Sequence, residues 1–181
     1  GNGSHFYKLD ADGNELWSNF IGGFPLRYTK PVLGRHHIYF GGNYWVSGGG
    51  SETRVYKMDS IGQVTNQYAV PAFDATVGET SYLFDLEVND QDEVLIGRHF
   101  QSNWSHAEYP YRFSISKLDG NMVPVFEHEF YDLFSHNQTN GAEFLNAMDF
   151  EPLADGCIAV TGTRKIFFGK NALFLFKIAT L

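Results

Sequence analysis

Five carboxylates stand where acid–base chemistry could be assembled: Glu79, Asp85, Glu87, Asp149 and Glu151. Asp85 and Glu87 lie two apart, as do Asp149 and Glu151, so in an extended strand each pair shares one face. Two such groups held roughly 5–10 Å apart across a sugar would suit glycoside hydrolysis, one as acid and the other as base or nucleophile. Asp85 and Asp149 also occupy matching places in two copies of an internal repeat. Recurrence with a repeat favours a structural duty, such as capping neighbouring backbone. A second group is oxygen-rich: Asp10-Ala11-Asp12-Gly13-Asn14-Glu15 presents acceptors at alternate positions, as a calcium loop does. It has no glycine at its sixth position, and Ile21 stands where a bidentate acid should close it, so a hairpin turn is the preferred reading. No cofactor is expected, calcium on this loop being the one alternative.

The histidines, His5, His36, His37, His99, His106, His128 and His136, do not form the His-Glu-x-x-His face of a metalloprotease helix. They read as loop or edge residues. Cys157 is the single cysteine, which excludes a disulfide framework and any multi-cysteine metal site. Its setting, Cys157-Ile158-Ala159-Val160, reads as core. The sequence has no nucleophile elbow, P-loop or dinucleotide fingerprint, and the balance leans against an enzyme. The aromatic segments are the better binding candidates. Tyr44 and Trp45 follow Gly41-Gly42, and Trp104, Tyr109 and Tyr111 follow Gly97. Both segments are expected as loops that join the same two strands of successive units, and so emerge on one rim. Exposed rings stack on sugars and on partner side chains. Tyr44, Trp45, Trp104, Tyr109 and Tyr111 are therefore the candidate contacts to a protein or glycan partner; the competing reading folds them back over the sheet ends as satellite core.

What must position these groups is a repeat, to be sought before any other feature. Phe6-Tyr7-Lys8-Leu9-Asp10 returns as Val55-Tyr56-Lys57-Met58-Asp59, as Ile115-Ser116-Lys117-Leu118-Asp119, and as Leu175-Phe176-Lys177-Ile178-Ala179. The first three copies run into turns, Asp10 to Asn14, Asp59 to Gln63 and a shorter Asp119-Gly120-Asn121. Such Asp/Gly/Asn clusters supply the positive φ and side-chain caps of a tight hairpin. A second strand follows each: Glu15 to Phe20, Val64 to Val70 and Met122 to Phe130. Ahead of the later copies come short apolar runs closed by glycine, ending at Gly41, Gly97 and Gly162, which read as fully buried strands. Before these lie Phe84 to Val88, Met148 to Leu153 and, more weakly, Tyr28 to Leu33.

Four antiparallel strands in each unit is the content of a propeller blade. The expected fold is all-β, a single domain forming a β-propeller or propeller segment of about three to four four-stranded blades. The units cover about 1–20 (partial), 28–70, 84–130 and 148–181 (partial), a count that predicts part of a longer ring. A sandwich or barrel of stacked sheets is the alternative. Composition agrees: 17 Phe, 10 Tyr and 19 Gly favour strands and turns over helices. A net charge of −8 argues against a nucleic-acid surface, which needs a basic face. No apolar run approaches the ~18 residues of a membrane span.

The strings Lys8-Leu9-Asp10-Ala11-Asp12-Gly13-Asn14-Glu15-Leu16-Trp17 and Gly162-Thr163 … Phe174-Leu175-Phe176-Lys177-Ile178 carry a resemblance. They are similar to the G-T … F-L-x-K-[LI]-D-x-x-G-N-x-x-W repeats of secreted and cell-surface β-propeller proteins of the Bacteroidota. Only the first copy keeps the tryptophan; Asn66 and Val125 or Phe126 stand near its place later, and Ala179 replaces the aspartate in the last. The resemblance implies an extracytoplasmic, secreted or cell-surface location. It also implies a non-enzymatic binding or scaffolding role toward a protein or glycan. A carbohydrate-active propeller hydrolase with paired carboxylates and a calcium-stabilised adhesion module are the alternatives.

Overall fold

The computed structural model describes residues 3–22, 31–45, 51–70, 80–101, 112–130, 145–166 and 170–179. These are all-β. A hairpin, β1 (Gly3–Leu9) and β2 (Glu15–Gly22), comes first. Next is an antiparallel four-stranded meander of β3 (Val32–Leu33), β4 (Ile38–Trp45), β5 (Ser51–Met58) and β6 (Val64–Val70). A second meander follows, of β7 (Thr80–Val88), β8 (Val94–Gln101), β9 (Arg112–Leu118) and β10 (Pro124–Phe130). A three-stranded sheet of β11 (Leu145–Pro152), β12 (Cys157–Ile166) and β13 (Lys170–Ala179) ends the series. One parallel pair, Ser51 with Thr80, links the two complete meanders. The sheets are blade-like, but among the described residues no pairing joins β1 or β2 to β13. No described helix is long and apolar enough to cross a membrane.

Five turns share one geometry. In each, the first residue's N–H donates to the fifth residue's carbonyl, and the fourth residue's N–H donates back to the first, as in Asp10–Asn14, Asp59–Gln63, Asn89–Glu93, Asp119–Val123 and Leu153–Cys157. In four of the five the first side chain caps the turn. Asp10 Oδ1 accepts the N–H groups of Asp12 and Asn14 at 2.9 and 2.8 Å, and Asp59, Asn89 and Asp119 do the same in theirs. The fourth residue is left-handed, which a type I turn with a bulge requires. Gly13, Gly62 and Gly156 meet that need, but Asp92 (φ 60) and Met122 (φ 66) do so with a side chain. The Asp119 turn is therefore not the shorter one expected. Gly120 is not its left-handed residue; Met122 accepts the strained backbone while its side chain is buried in a core cluster.

The glycines that were expected to close the buried strands lie inside them. β4 runs on past Gly41 to Trp45, β8 past Gly97 to Gln101, and β12 past Gly162 to Ile166. A Cβ on Gly41 would stand 2.4 Å from Leu83 Cδ2, and one on Gly97 2.5 Å from the Phe84 ring and 2.8 Å from that of Phe150. Glycine here admits a neighbouring side chain rather than ending the strand.

Successive sheets stack through three apolar clusters. Phe6 of β1 packs with Phe40, Tyr56 and Met58. Val55 and Tyr39 pack with Leu83, Leu86, Ile96 and Leu118. Phe113 and Ile115 pack with Phe150, Ile158 and Val160. Each fully buried side chain of this size contributes about 1.5–3 kcal/mol. Repeat residues tie the same junctions with polar bonds. Lys8 Nζ donates to the Ser60 carbonyl (3.4 Å) and Lys57 Nζ to that of Gly120 (2.7 Å), in each case the residue after the turn aspartate of the following sheet. Trp17 Nε1 donates to Ser60 O at 2.9 Å, and Asn66, which stands in the place of that tryptophan, donates to Asn121 O at 2.9 Å. The motif's lysine, aspartate, glycine and tryptophan thus build turns and join sheets.

Candidate functional site

Tyr44 and Trp45 end β4 rather than lying in a loop, a correction that follows from the internal position of Gly41. Trp45 pairs with Ser51, Ser51 with Thr80, and Thr80 with Gln101. These four residues form one lateral row across four neighbouring strands, at ~4.8 Å per step. The connection 46–50 leaves the row at Trp45 and the connection 102–111 leaves it at Gln101, so both segments spring from one rim. Trp104, Tyr109 and Tyr111 lie outside the described residues, as do His106, His136 and Glu79. Polar ties hold the row beneath. Thr53 Oγ1 and Ser81 Oγ share a buried 2.8 Å hydrogen bond, and Asn43 Oδ1 accepts the Leu83 N–H at 3.1 Å. The Arg54 guanidinium lies 3.7 Å over the Tyr44 ring and pairs with Glu52, making a carboxylate–cation–aromatic stack. Asn43, Thr53 and Ser81 do not stand out in sequence, because each acquires its role only from a strand distant in the chain.

The paired carboxylates meet where β7 and β11 face each other. Both strands carry a bulge just before the aspartate, between Leu83 and Asp85 and between Ala147 and Asp149, and a bulge re-aims the side chain that follows it. Asp85 is buried; its Oδ1 accepts the Leu86 N–H at 2.8 Å and its Oδ2 the Phe150 N–H of the next sheet at 3.0 Å. The structural duty inferred from repetition is thus a clamp between sheets. Burial pushes the Asp85 carboxyl up to about 7, and the exposed Asp149 carboxyl hydrogen-bonded to it adds to the rise. The two backbone donors oppose that rise without cancelling it. Glu87 is half-buried and Glu151 exposed.

His99, on β8 beside this clamp, stacks between Tyr82 (5.3 Å) and Phe84 (6.2 Å), and burial lowers it to about 4. Its Nδ1 has no hydrogen-bond partner among the described residues. Between about pH 5 and 6 a neutral imidazole and a largely protonated carboxyl therefore lie at this junction.

At the opposite end of the sheets, a cleft of about 390 Å³ opens between Leu33, Gly34 and Arg35 on one side and Val88 to Gln91 on the other. Beside it the Asp92 carboxylate accepts the Arg35 N–H (2.8 Å) and bonds His37 Nδ1 (3.0 Å). Burial alone would raise Asp92; His37, the Arg35 N–H and Lys57 reverse this and hold it below the usual carboxylate range. In the turn at Asp10, both carboxylate oxygens take N–H donors, the second from the Asn14 side chain at 3.0 Å. Cys157 is half-buried rather than core. No known family model matches the chain, and no curated protein is similar to it.

Proposed function

We propose that the chain is a non-enzymatic, propeller-like module that binds a protein or glycan partner along the rim bearing Tyr44, Trp45, Trp104, Tyr109 and Tyr111. The observation that supports this reading is the row Trp45–Ser51–Thr80–Gln101, which sets the end of the strand bearing Tyr44 and Trp45 and the point where the chain departs toward Trp104, Tyr109 and Tyr111 on one edge of the sheets. Aromatic side chains offer large contact area with few rotatable bonds, so such residues suit a sugar face or an apolar side chain. The Arg54–Tyr44 stack adds a cation and its carboxylate partner for polar contacts. Binding is favoured over hydrolysis because the Asp85 oxygens hold the backbone of Leu86 and Phe150. A hairpin role for Asp10 is favoured over calcium for the same kind of reason. The secreted or cell-surface location and kinship with the Bacteroidota propeller repeats rest on the resemblance of the repeat strings.

The test is a glycan microarray and affinity electrophoresis in soluble polysaccharides, run on the wild type and on the double variant Trp45→Ala, Trp104→Ala. Loss of one to two stacking contacts should weaken retention at least about tenfold, with the thermal midpoint unchanged. Retention that survives in the double variant, or a double variant that no longer folds, would overturn the reading.

A further inference from the structure

The cleft of about 390 Å³ lies between the two complete meanders, with the β3–β4 turn as one wall and the β7–β8 turn as the other. Asp92 bolts these walls together. Its Oδ1 accepts the Arg35 N–H at 2.8 Å, and its Oδ2 bonds His37 Nδ1 at 3.0 Å. The Gly34 N–H donates to the His37 carbonyl at 2.9 Å and closes the first turn. The close approach requires that glycine, since a Cβ on Gly34 would stand 2.4 Å from Asp92 Oδ1 and 2.8 Å from the Tyr39 ring. Asp92 holds its left-handed φ of 60° at the turn position that Gly13, Gly62 and Gly156 fill elsewhere. Met122, the other strained residue, is held by its buried side chain; Asp92 is held by bonds from one wall to the other. Glycine at 92 would relax the backbone and sever the walls, so strain is kept where it fixes the shape of the cleft.

The charges lining this cleft are unmatched. Arg35 belongs to one wall and Asp90 to the other, and both are exposed. Among the described residues neither the Arg35 guanidinium nor the Asp90 carboxylate has a hydrogen-bond or ion-pair partner. The Asp90 wall is held in shape by Asn89, whose Oδ1 accepts the N–H groups of Gln91 and Glu93 at 3.0 Å each. Leu33, 75% exposed, and the half-buried Val88 add apolar surface to the same cleft. We propose that it binds a small zwitterion, an apolar amino acid, with its carboxylate on Arg35, its ammonium on Asp90 and its side chain against Leu33 and Val88. A guanidinium takes a carboxylate through two parallel N–H···O bonds. A simple anion would leave Asp90 unpaired and a simple cation would leave Arg35 so, whereas one molecule bearing both charges matches both walls. The volume falls at the small end of the range for ligand sites. This end of the sheets is opposite the Trp45 rim, so the proposal is independent of binding there.

Amide NMR spectra of the isotope-labelled whole chain, titrated in turn with L-leucine, leucinamide and N-acetyl-leucine, test this. L-Leucine should cause saturable shifts concentrated at the amides of residues 33–37 and 88–93. Leucinamide lacks the carboxylate and N-acetyl-leucine lacks the ammonium, so each should bind about tenfold more weakly or worse. Arg35→Gln should erase the preference for leucine over leucinamide, and Asp90→Asn the preference over N-acetyl-leucine. Both side chains are exposed, so the unfolding midpoint should stay where it is. Absence of saturable shifts at these amides up to the solubility limit of leucine, equal binding of the three probes, or preferences that persist in the variants would each overturn the proposal. The comparison of probes needs only the wild type, so it decides the matter even if a variant fails to fold.

Discussion

Replacing Asp85 by asparagine should make the chain less stable at pH 5 and more stable at pH 8, so that the two stability profiles cross. The Asp85 carboxyl binds its proton up to about pH 7 in the folded chain, against 3.8 as its ordinary value. The folded state therefore holds a proton that the unfolded state releases. Stability from this group is full below about pH 4, declines as pH rises, and is gone above about 7. At ~1.4 kcal/mol for each tenfold difference in proton affinity, the fall between pH 5 and pH 8 has a ceiling near 3 kcal/mol. Screening through the exposed Asp149 brings it to about 2 kcal/mol. Asparagine is neutral at every pH and removes this slope. Its Nδ2 can donate toward Asp149 as the acid's proton does, but it cannot accept the Phe150 N–H now bound by Oδ2 at 3.0 Å. Losing that bond costs about 1 kcal/mol. The variant should thus trail by about 1 kcal/mol at pH 5 and lead by about 1 kcal/mol at pH 8. Urea unfolding followed by tryptophan fluorescence, at steps of pH from 4.5 to 8.5, measures both profiles. The difference between them cancels the titration of other groups such as Asp92. A constant offset at all pH values would refute the reasoning, since it would mean that Asp85 is already ionised in the folded chain.

The left-handed turn glycines separate backbone strain from packing. Gly13 and Gly62 have nearly equal φ (87° and 86°), but a Cβ on Gly13 meets nothing within 4 Å whereas one on Gly62 stands 2.6 Å from the Trp17 ring. Gly13→Ala should cost about 1 kcal/mol and Gly62→Ala about 2–4 kcal/mol by chemical denaturation; equal losses would mean that Trp17 does not press on the turn. Lys57→Met should cost about 1–2 kcal/mol, because it leaves the half-buried Gly120 carbonyl without its 2.7 Å donor. Lys8→Met, losing only an exposed 3.4 Å contact, should cost less than about 0.5 kcal/mol in the same assay. If the two lysines proved equivalent, the junction bond would not be the source of the effect.

Much of the strand order was legible in the residues because it is written locally. The β1–β2, β5–β6 and β9–β10 hairpins each begin at an aspartate that caps its own turn, so a window of a few residues contains the whole cause. Of the weak signal at Tyr28 to Leu33, the described end forms the short β3, and residues 28–30 lie outside the described residues. The site was legible as a set of residue types and only partly as a place. Gly41 reads locally as a strand end, which puts Tyr44 and Trp45 in a loop; in the fold it is the site where Leu83, from a strand distant in the chain, packs against β4, and the strand runs on past it. In the Asp119 turn local preference points to Gly120, whereas a buried methionine, Met122, holds the left-handed position.

By itself the chain of residues determined the repeat, the turns and the alternation of faces, since these depend on φ preference, side-chain capping and a period of two. The tertiary structure alone decided which groups meet. It brought Asp85 to the N–H of Phe150, Thr53 to Ser81 and Lys57 to Gly120. It also brought Trp45 and Gln101 to one rim. Each of these contacts joins residues far apart along the chain, and its energy exists only once two sheets have stacked and excluded water between them. No local preference of either partner contains that information.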